Sequence, residues 1–405
     1  MRRPGAGRVH RLERMSSEID PTTSPPEPFR VVIAGGGVAA VETALALRAL
    51  ASERISLTLL APDPELVYRP MTVREPFAYG SARRYPLDEI AADVGAELIK
   101  ERFGWVDAAA RIAHTSSERE LPYDALMLAV GAHAKPHWEH ALTIDDRRMD
   151  ELLHGLIQDI EDQYVHSLAF VIPAQMAWPL PIYELALMTA ARAYDVSAEL
   201  SVTIVTPEDG PLAIFGRGAS DGVSQMLSSA GIKTITSAYA EVPQAGHLLV
   251  NPGERQIEAD RIIALPELFG PAIRGLSSGS HGFIPTDPHG CVHGVERIFA
   301  AGDAVDFAVK QGGLAAQQAD AAAQSIAALA GVAIEPQPFD PVVRGMLLTG
   351  NAPKYLQAHI TGGHGFSSEI SDTPSWSPPA KIAAKYLAPY LDERDHAAER
   401  QSAVG

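Results

Sequence analysis

Three small residues, a distant carboxylate and one lysine carry most of the chemistry legible in this chain. Gly35, Gly37 and Ala40 stand in the spacing Gly-x-Gly-x-x-Ala, and Gly302-Asp303 closes a small apolar run far downstream. Gly35 lets the chain turn sharply, Gly37 has no side chain to keep a pyrophosphate off the backbone, and Ala40 allows close packing behind the turn. With Gly36, Val38 and Ala39 they form a turn whose free N–H groups face an anion. Asp303 can accept hydrogen bonds from a polyhydroxyl chain, and Gly302 permits close approach. Lys310 adds a positive charge ahead of Gln311-Gly312-Gly313 and an Ala-rich helix over Leu314–Ala330. The N-terminus of that helix suits the edge of a flavin ring where negative charge develops. The glycine fingerprint by itself does not separate NAD from FAD.

Such residues work only if a strand, a tight turn and a helix hold them. Val31–Ala34 read as a buried strand and Val38–Leu50 as a helix. Ile55–Leu60 read as the second parallel strand. The acid expected at its end for a ribose falls near Ala61, so either Asp63 reaches back or backbone and water hold the ribose. Leu66–Tyr79 is a loop carrying Tyr68, Arg69 and Pro70. Tyr85–Asp93 reads as a helix, Glu97–Lys100 and Trp105–Ala113 as strands, and Ala125–Val130 as a buried strand ending in Gly131-Ala132. After a charged helical crossover at Arg148–His166, the order of strand, loop, helix and strand repeats. The expected fold class is α/β, with two Rossmann-like three-layer domains, the second inserted in the first. The first domain takes 29–148 and 266–333, and the insert 149–265. Residues 334–405 form a C-terminal segment with an amphipathic helix over Ala380–Leu391, and residues 1–28 a disordered tail in which Met15 is a second candidate start.

The 405 residues carry a formal charge of −17, which argues against nucleic acid and anionic membrane surfaces as partners. A single cysteine, Cys291, excludes an internal disulfide and any Cys-x-x-Cys pair, and points to a reducing, cytoplasmic setting. Cys291 reads as a packing residue. Asp287, His289, Cys291 and His293 alternate, but Pro288 and Gly290 favour a turn, and one strand spreads its ligands too far for a metal; no metal site is expected. His133, His137 and His140 read as loop residues. The stripe Ile382, Tyr386, Tyr390 suits a docked terminal helix or a peripheral membrane contact.

Gly35–Ala40, Ala129-Val130-Gly131-Ala132 and Gly302-Asp303 together resemble the three signatures of the pyridine nucleotide–disulfide oxidoreductase-like flavoproteins. The resemblance covers about residues 30–330. It implies FAD, with Gly35, Gly37 and Ala40 on the pyrophosphate, Asp303 on the ribitol and Gly131-Ala132 beside the domain crossover. The run Pro173 to Glu184, with Trp178 and Tyr183, is similar to the sulfide:quinone oxidoreductase and flavocytochrome c sulfide dehydrogenase branch. Where that branch carries a redox cysteine, this chain has Ala177 or Trp178. Lys310-Gln311-Gly312 resembles the flavin-contacting helix start of that branch and of type II NADH:quinone oxidoreductases. The resemblance also places Tyr68-Arg69-Pro70 near the isoalloxazine. Glu184 reads as a proton carrier or as a plain carboxylate at a helix N-terminus, and Trp178 as a flavin-facing aromatic or a packing residue between domains. After Leu168–Ile172 there is no glycine-rich loop; Pro173, Pro179 and Pro181 remove N–H donors where a nicotinamide nucleotide would anchor. The expected function is two-electron transfer from a small reduced donor through FAD to an acceptor such as a quinone. An NAD(P)H:acceptor oxidoreductase and a non-catalytic flavin-binding regulatory protein are the alternatives. Oligomeric state, including a homodimer, is left open.

Overall fold

A computed structural model describes residues 27–175, 178–361, 364–365 and 369–402; Met15, nearly all of the expected tail, and Ala177 lie outside the described residues. The first unit opens with β1 (Phe29–Ala34), α1 (Val38–Ala51) and β2 (Ile55–Leu60), continues through α2 (Leu87–Asp93) and β3 (Ala96–Ile99), and reaches β4 (Ala125–Leu128). The chain crosses by α3 (Met149–Glu161) into a second unit: β5 (Ser167–Val171), α4 (Leu180–Asp195), β6 (Ser201–Val205), α5 (Arg217–Ser229), β7 (Lys233–Ile235) and β8 (Arg261–Ala264). It then returns with β9 (Ile298–Ala300) and α6 (Gly312–Leu329), adds the hairpin β10 (Val342–Leu347) and β11 (Lys354–Thr361), and ends in α7 (Leu387–Ser402).

The first sheet is parallel in the order β9-β4-β1-β2-β3, so a strand laid down after the insert completes a sheet begun before it. Alternation along β1 shows why both faces are covered. Val31 and Ile33 join the core under α1 and α6, while Val32 and Ala34 join Val106, Ala113 and Tyr123 on the opposite face. Helices thus form one layer and the antiparallel strands Phe103–Asp107, Ile112–Thr115 and Glu120–Pro122 another. Helices α1 and α6 meet through small residues, among them Ala40 and Ala44 with Ala319, Ala322 and Ala323, which allows close approach of their backbones. The second sheet has the order Leu142–Thr143, β8, β5, β6, β7, with a three-stranded meander over Tyr239–Glu258 on one side.

Three elements differ from the sequence reading. Trp105–Ala113 is a hairpin rather than one strand, because Asp107 accepts the Ala110 N–H at 2.9 Å and Arg111 takes φ 56°. Tyr85 and Pro86 of the expected helix lie instead in a short strand, Arg84–Pro86, paired with Glu65–Val67. The terminal helix begins at Leu387, not at Ala380. The buried Glu42 carboxylate on α1 accepts the N–H groups of Lys385, Tyr386 and Leu387 at 3.0, 2.9 and 2.5 Å, and the residues from Ala380 to Tyr386 form an irregular strap ahead of the helix. Ile382, Leu387 and Leu391 are buried, and Tyr386 and Tyr390 pack on the first core. The apolar stripe therefore faces the protein and is not free for a membrane, and among the described residues no helix is long and apolar enough to cross one.

Candidate active site

The glycine turn is set by contacts that forbid other residues. Gly35 has φ 131°, and a Cβ there would lie 2.1 Å from the Ala129 carbonyl oxygen. A Cβ on Gly36 would stand 2.6 Å from Leu87 Cδ1, whereas one on Gly37 would meet nothing within 4 Å. Gly37 caps α1 without a side-chain hydrogen bond, and no acidic residue occupies the first turn. The turn thus offers backbone donors and the positive end of a 14-residue helix to open space, which suits a phosphate.

The second half of the site arrives from β9. Gly302 has φ 78°, and a Cβ there would lie 3.2 Å from the Ala39 Cβ on the first turn of α1. Its N–H donates to Gln318 Oε1 at 2.8 Å, which locks the Gly302-Asp303 turn to α6. Sequence reading missed Gln318; its only signal was a polar residue inside an alanine-rich helix.

Asp303 is half-buried, and burial raises its carboxyl pKa; Lys310 and Arg69 oppose that rise and Asp146 adds to it. These four residues form one charged cluster, in which Arg69 Nη1 lies 3.6 Å from Asp146 Oδ2. Lys310 donates to the Val305 carbonyl and stands 3.9 Å from the centre of the Phe283 ring. Burial lowers its ammonium pKa to about 8, against the pull of Asp303 and Asp306. The fold therefore brings together Arg69, Asp303 and Lys310 beside the Gly302 turn. Gly131, with φ 74° and nothing within 4 Å of a Cβ, follows β4 two residues after Ala129.

Other expected site residues stand elsewhere. Gln311 turns inward: Oε1 accepts the Leu314 N–H at 2.9 Å and Nε2 donates to the Arg344 carbonyl at 3.0 Å, so its side chain caps α6 rather than facing a cofactor. Trp178 is half-buried and packs edge-on to Phe215 at 5.8 Å against the core of the second unit. Asp63 is exposed beyond β2. Glu184 is wholly buried and paired with Lys381, Oε2 to Nζ at 2.7 Å, and its Oε1 accepts the Leu348 N–H at 2.9 Å. Lys381 Nζ also donates to the Pro70 carbonyl at 2.6 Å. Burial raises the Glu184 pKa and lowers that of Lys381, and their mutual attraction opposes both shifts. Lys381 was missed by sequence reading, because nothing local marks a lysine for burial.

The start of α4 in the second unit offers fewer N–H donors than the start of α1. Pro179 precedes α4 and Pro181 lies in its first turn. Glu208, just past β6, occupies the place of a ribose-binding acid but points inward. Its carboxylate accepts from the Tyr183 hydroxyl and from Thr206 Oγ1, and burial raises its pKa to about 7. Cys291 is half-buried in a turn where Asp287 Oδ1 accepts its N–H at 2.9 Å; burial and the Asp287 charge push the thiol up to about 11, so it stays protonated near neutrality.

Residues 184–325 match the model of a family described as pyridine nucleotide-disulphide oxidoreductase. No curated protein matches the chain. Among solved structures, the fold is similar to that of the sulfide:quinone oxidoreductase from the hyperthermophilic bacterium Aquifex aeolicus, with TM-score 0.75 and 17% identity over 85% of this chain and 87% of that one. A ferredoxin reductase from Rhodopseudomonas palustris aligns with TM-score 0.62 and 20% identity, covering 82% of each chain. A NAD-dependent persulfide reductase from A. fulgidus aligns with TM-score 0.59 and 19% identity over 83% of this chain and 65% of that one.

Proposed function

We infer that this chain, which has the fold of the pyridine nucleotide-disulphide oxidoreductases, is an FAD-dependent oxidoreductase, and we propose that it passes two electrons from a small reduced donor to an acceptor such as a quinone. One observation carries the reading: the open helix N-terminus at Gly37 and the Gly302-Asp303 turn come from opposite ends of the chain and are packed together. FAD supplies the electron-carrying ring. The backbone of Gly35 to Ala40 would hold its pyrophosphate, and Asp303 its ribitol. Asp63 and the backbone near Ala61 remain for the ribose, while Arg69, Pro70, Gly131 and Lys310 would lie toward the ring.

Lys310 holds a proton and a positive charge below about pH 8 and loses them above it. Its expected task is to stabilise negative charge gained on reduction. Lys310→Met should lower the midpoint potential of the bound flavin by about 30 mV, equivalent to roughly 1.4 kcal/mol. The deficit should vanish as pH rises well past 8. Spectroelectrochemical titration from pH 6 to 10 checks this, and an unchanged potential at pH 6 would remove Lys310 from the site.

With one protonated thiol the electrons do not pass through an internal dithiol. The prolines at the start of α4 and the inward Glu208 support a donor that reaches the site without a docked dinucleotide. Purified protein should be yellow and release FAD on denaturation; colourless protein sinks the cofactor assignment. Anaerobic mixing with NADH or NADPH should leave the flavin oxidised, and rapid bleaching by either overturns the donor assignment.

A further inference from the structure

β9 is the edge strand of the first sheet. Beside it lies a cavity of about 250 Å³, bounded by α6, the turn that carries Asp287 and Pro288, and the stretch ahead of β10. That volume is below the roughly 300–1,000 Å³ of drug-sized ligand sites, so it suits a small molecule and not a dinucleotide. None of the residues assigned to FAD lines it.

Three kinds of group form the wall. Phe307 and Phe339 make an aromatic corner, with ring centres 5.3 Å apart and planes at 75°. The Phe339 N–H donates to the Pro288 carbonyl at 2.7 Å, which fixes the corner to the turn. Two carboxylates, Asp287 and Asp306, line the same space, and among the described residues no lysine, arginine or histidine does. Asp287 Oδ1 accepts the N–H groups of His289 and Cys291 at 2.8 and 2.9 Å, which fixes its position. Asp306 is exposed; Lys310 attracts it from outside the wall but directs its hydrogen bond to the Val305 carbonyl. The third group is Gln318. It is only 8% exposed, its Oε1 takes the Gly302 N–H, and its Nε2 donates to no group among the described residues. A buried amide N–H without a partner calls for an acceptor.

We propose that this cavity binds a small amino alcohol, with its ammonium group at the aromatic corner and the two carboxylates and its hydroxyl oxygen accepting from Gln318 Nε2. Two aromatic rings and two negative charges offset the desolvation of a cation. A neutral apolar molecule would leave the carboxylates and the Gln318 N–H without partners, and an anion would be repelled by both carboxylates.

Choline is the probe, titrated into the full chain as purified and followed by saturation-transfer NMR on its methyl protons. Saturable binding is expected, about tenfold tighter than that of dimethylbutanol, the uncharged all-carbon isostere, and tighter than that of tetramethylammonium, which lacks the oxygen. Phe339→Ala and Asp306→Asn alter side chains that are partly or fully exposed, so both chains should fold, as circular dichroism will show. Each should weaken choline by about fivefold. Phosphocholine, whose phosphate would meet the carboxylates, should bind more weakly than choline. Equal binding of choline and dimethylbutanol, no saturation by choline, or unchanged affinity in both variants overturns the proposal. Tighter binding of phosphocholine overturns it in favour of a lipid headgroup. The readout needs no flavin, so a failed cofactor assignment and a failed cavity assignment are distinguishable.

Discussion

Gly35→Ala should purify with little or no bound flavin and with a lowered melting temperature, whereas Gly37→Ala should lose flavin affinity and keep its stability. The two glycines stand two residues apart in one turn, but their surroundings differ. A methyl at Gly35 would lie 2.1 Å from the Ala129 carbonyl oxygen, on a backbone with φ 131°. Both the clash and the conformation cost free energy, together a few kcal/mol by the usual size of such strain. The shift needed to relieve them separates β1 from the end of β4, which also moves Gly131. A methyl at Gly37 meets nothing within 4 Å, so the fold has no reason to respond. It occupies the space in front of the α1 N-terminus, where a pyrophosphate would approach the backbone. The measurements are the flavin-to-protein absorbance ratio and thermal unfolding of each apo chain. Equal stability losses in the two variants would mean that the turn is a packing feature and not a cofactor cradle.

The second large effect belongs to the buried Glu184–Lys381 pair. Lys381→Met should destabilise the chain by about 3–5 kcal/mol near neutral pH, because it strands a carboxylate that is wholly buried. The cost should shrink in acid. Without Lys381 the folded-state pKa of Glu184 stays above its unfolded value, so stability is highest below the unfolded pKa and falls as pH rises toward the folded one. Combining Lys381→Met with Glu184→Gln should recover most of the loss, since glutamine still accepts the Leu348 N–H and no charge is left unpaired. Thermal unfolding of the three chains at pH 5 and pH 8 checks the pattern. A double variant no better than Lys381→Met, or a loss independent of pH, would show that the pair acts by shape alone. The pair also joins four stretches of chain through Pro70, α4, Leu348 and the strap. Local unfolding around the single variants should therefore reach Arg69 and Pro70 and loosen bound flavin as well.

The glycine turn was legible because its chemistry is local. Sharp turning, close approach and helix packing are each written within six residues, Gly35 to Ala40, and the strand and helix that hold them have strong apolar patterns. The return of the chain at Gly302-Asp303 was legible for the same reason. Pairing these two stretches needed only the knowledge that buried strands seek neighbours, and β9 does complete the first sheet. Gln311 was misread because a polar residue at a helix start can face a ligand or cap its own helix. The choice depended on Arg344, whose carbonyl takes the other end of the amide. For Trp178 the sequence left packing and a flavin-facing position open, because its ring partner, Phe215, is distant in sequence. The terminal helix was placed too early because Glu42, far away in sequence, captures the N–H groups that would otherwise have begun it.

By itself the sequence determined the α/β class, the glycine turn between β1 and α1, the absence of an internal dithiol and the lack of a glycine loop in the second unit. All of these follow from residue types within a few positions of one another. Only the tertiary structure decided where the buried charges go. Glu184 finds Lys381, Glu42 finds the backbone N–H groups at the start of α7, and Glu208 turns to Tyr183 instead of a ribose. A carboxylate in a sequence can be a ligand, a cap, an ion-pair partner or a solvated surface group. Which of these it becomes depends on the desolvation it suffers and the donors it meets, and both come from residues that folding alone brings near.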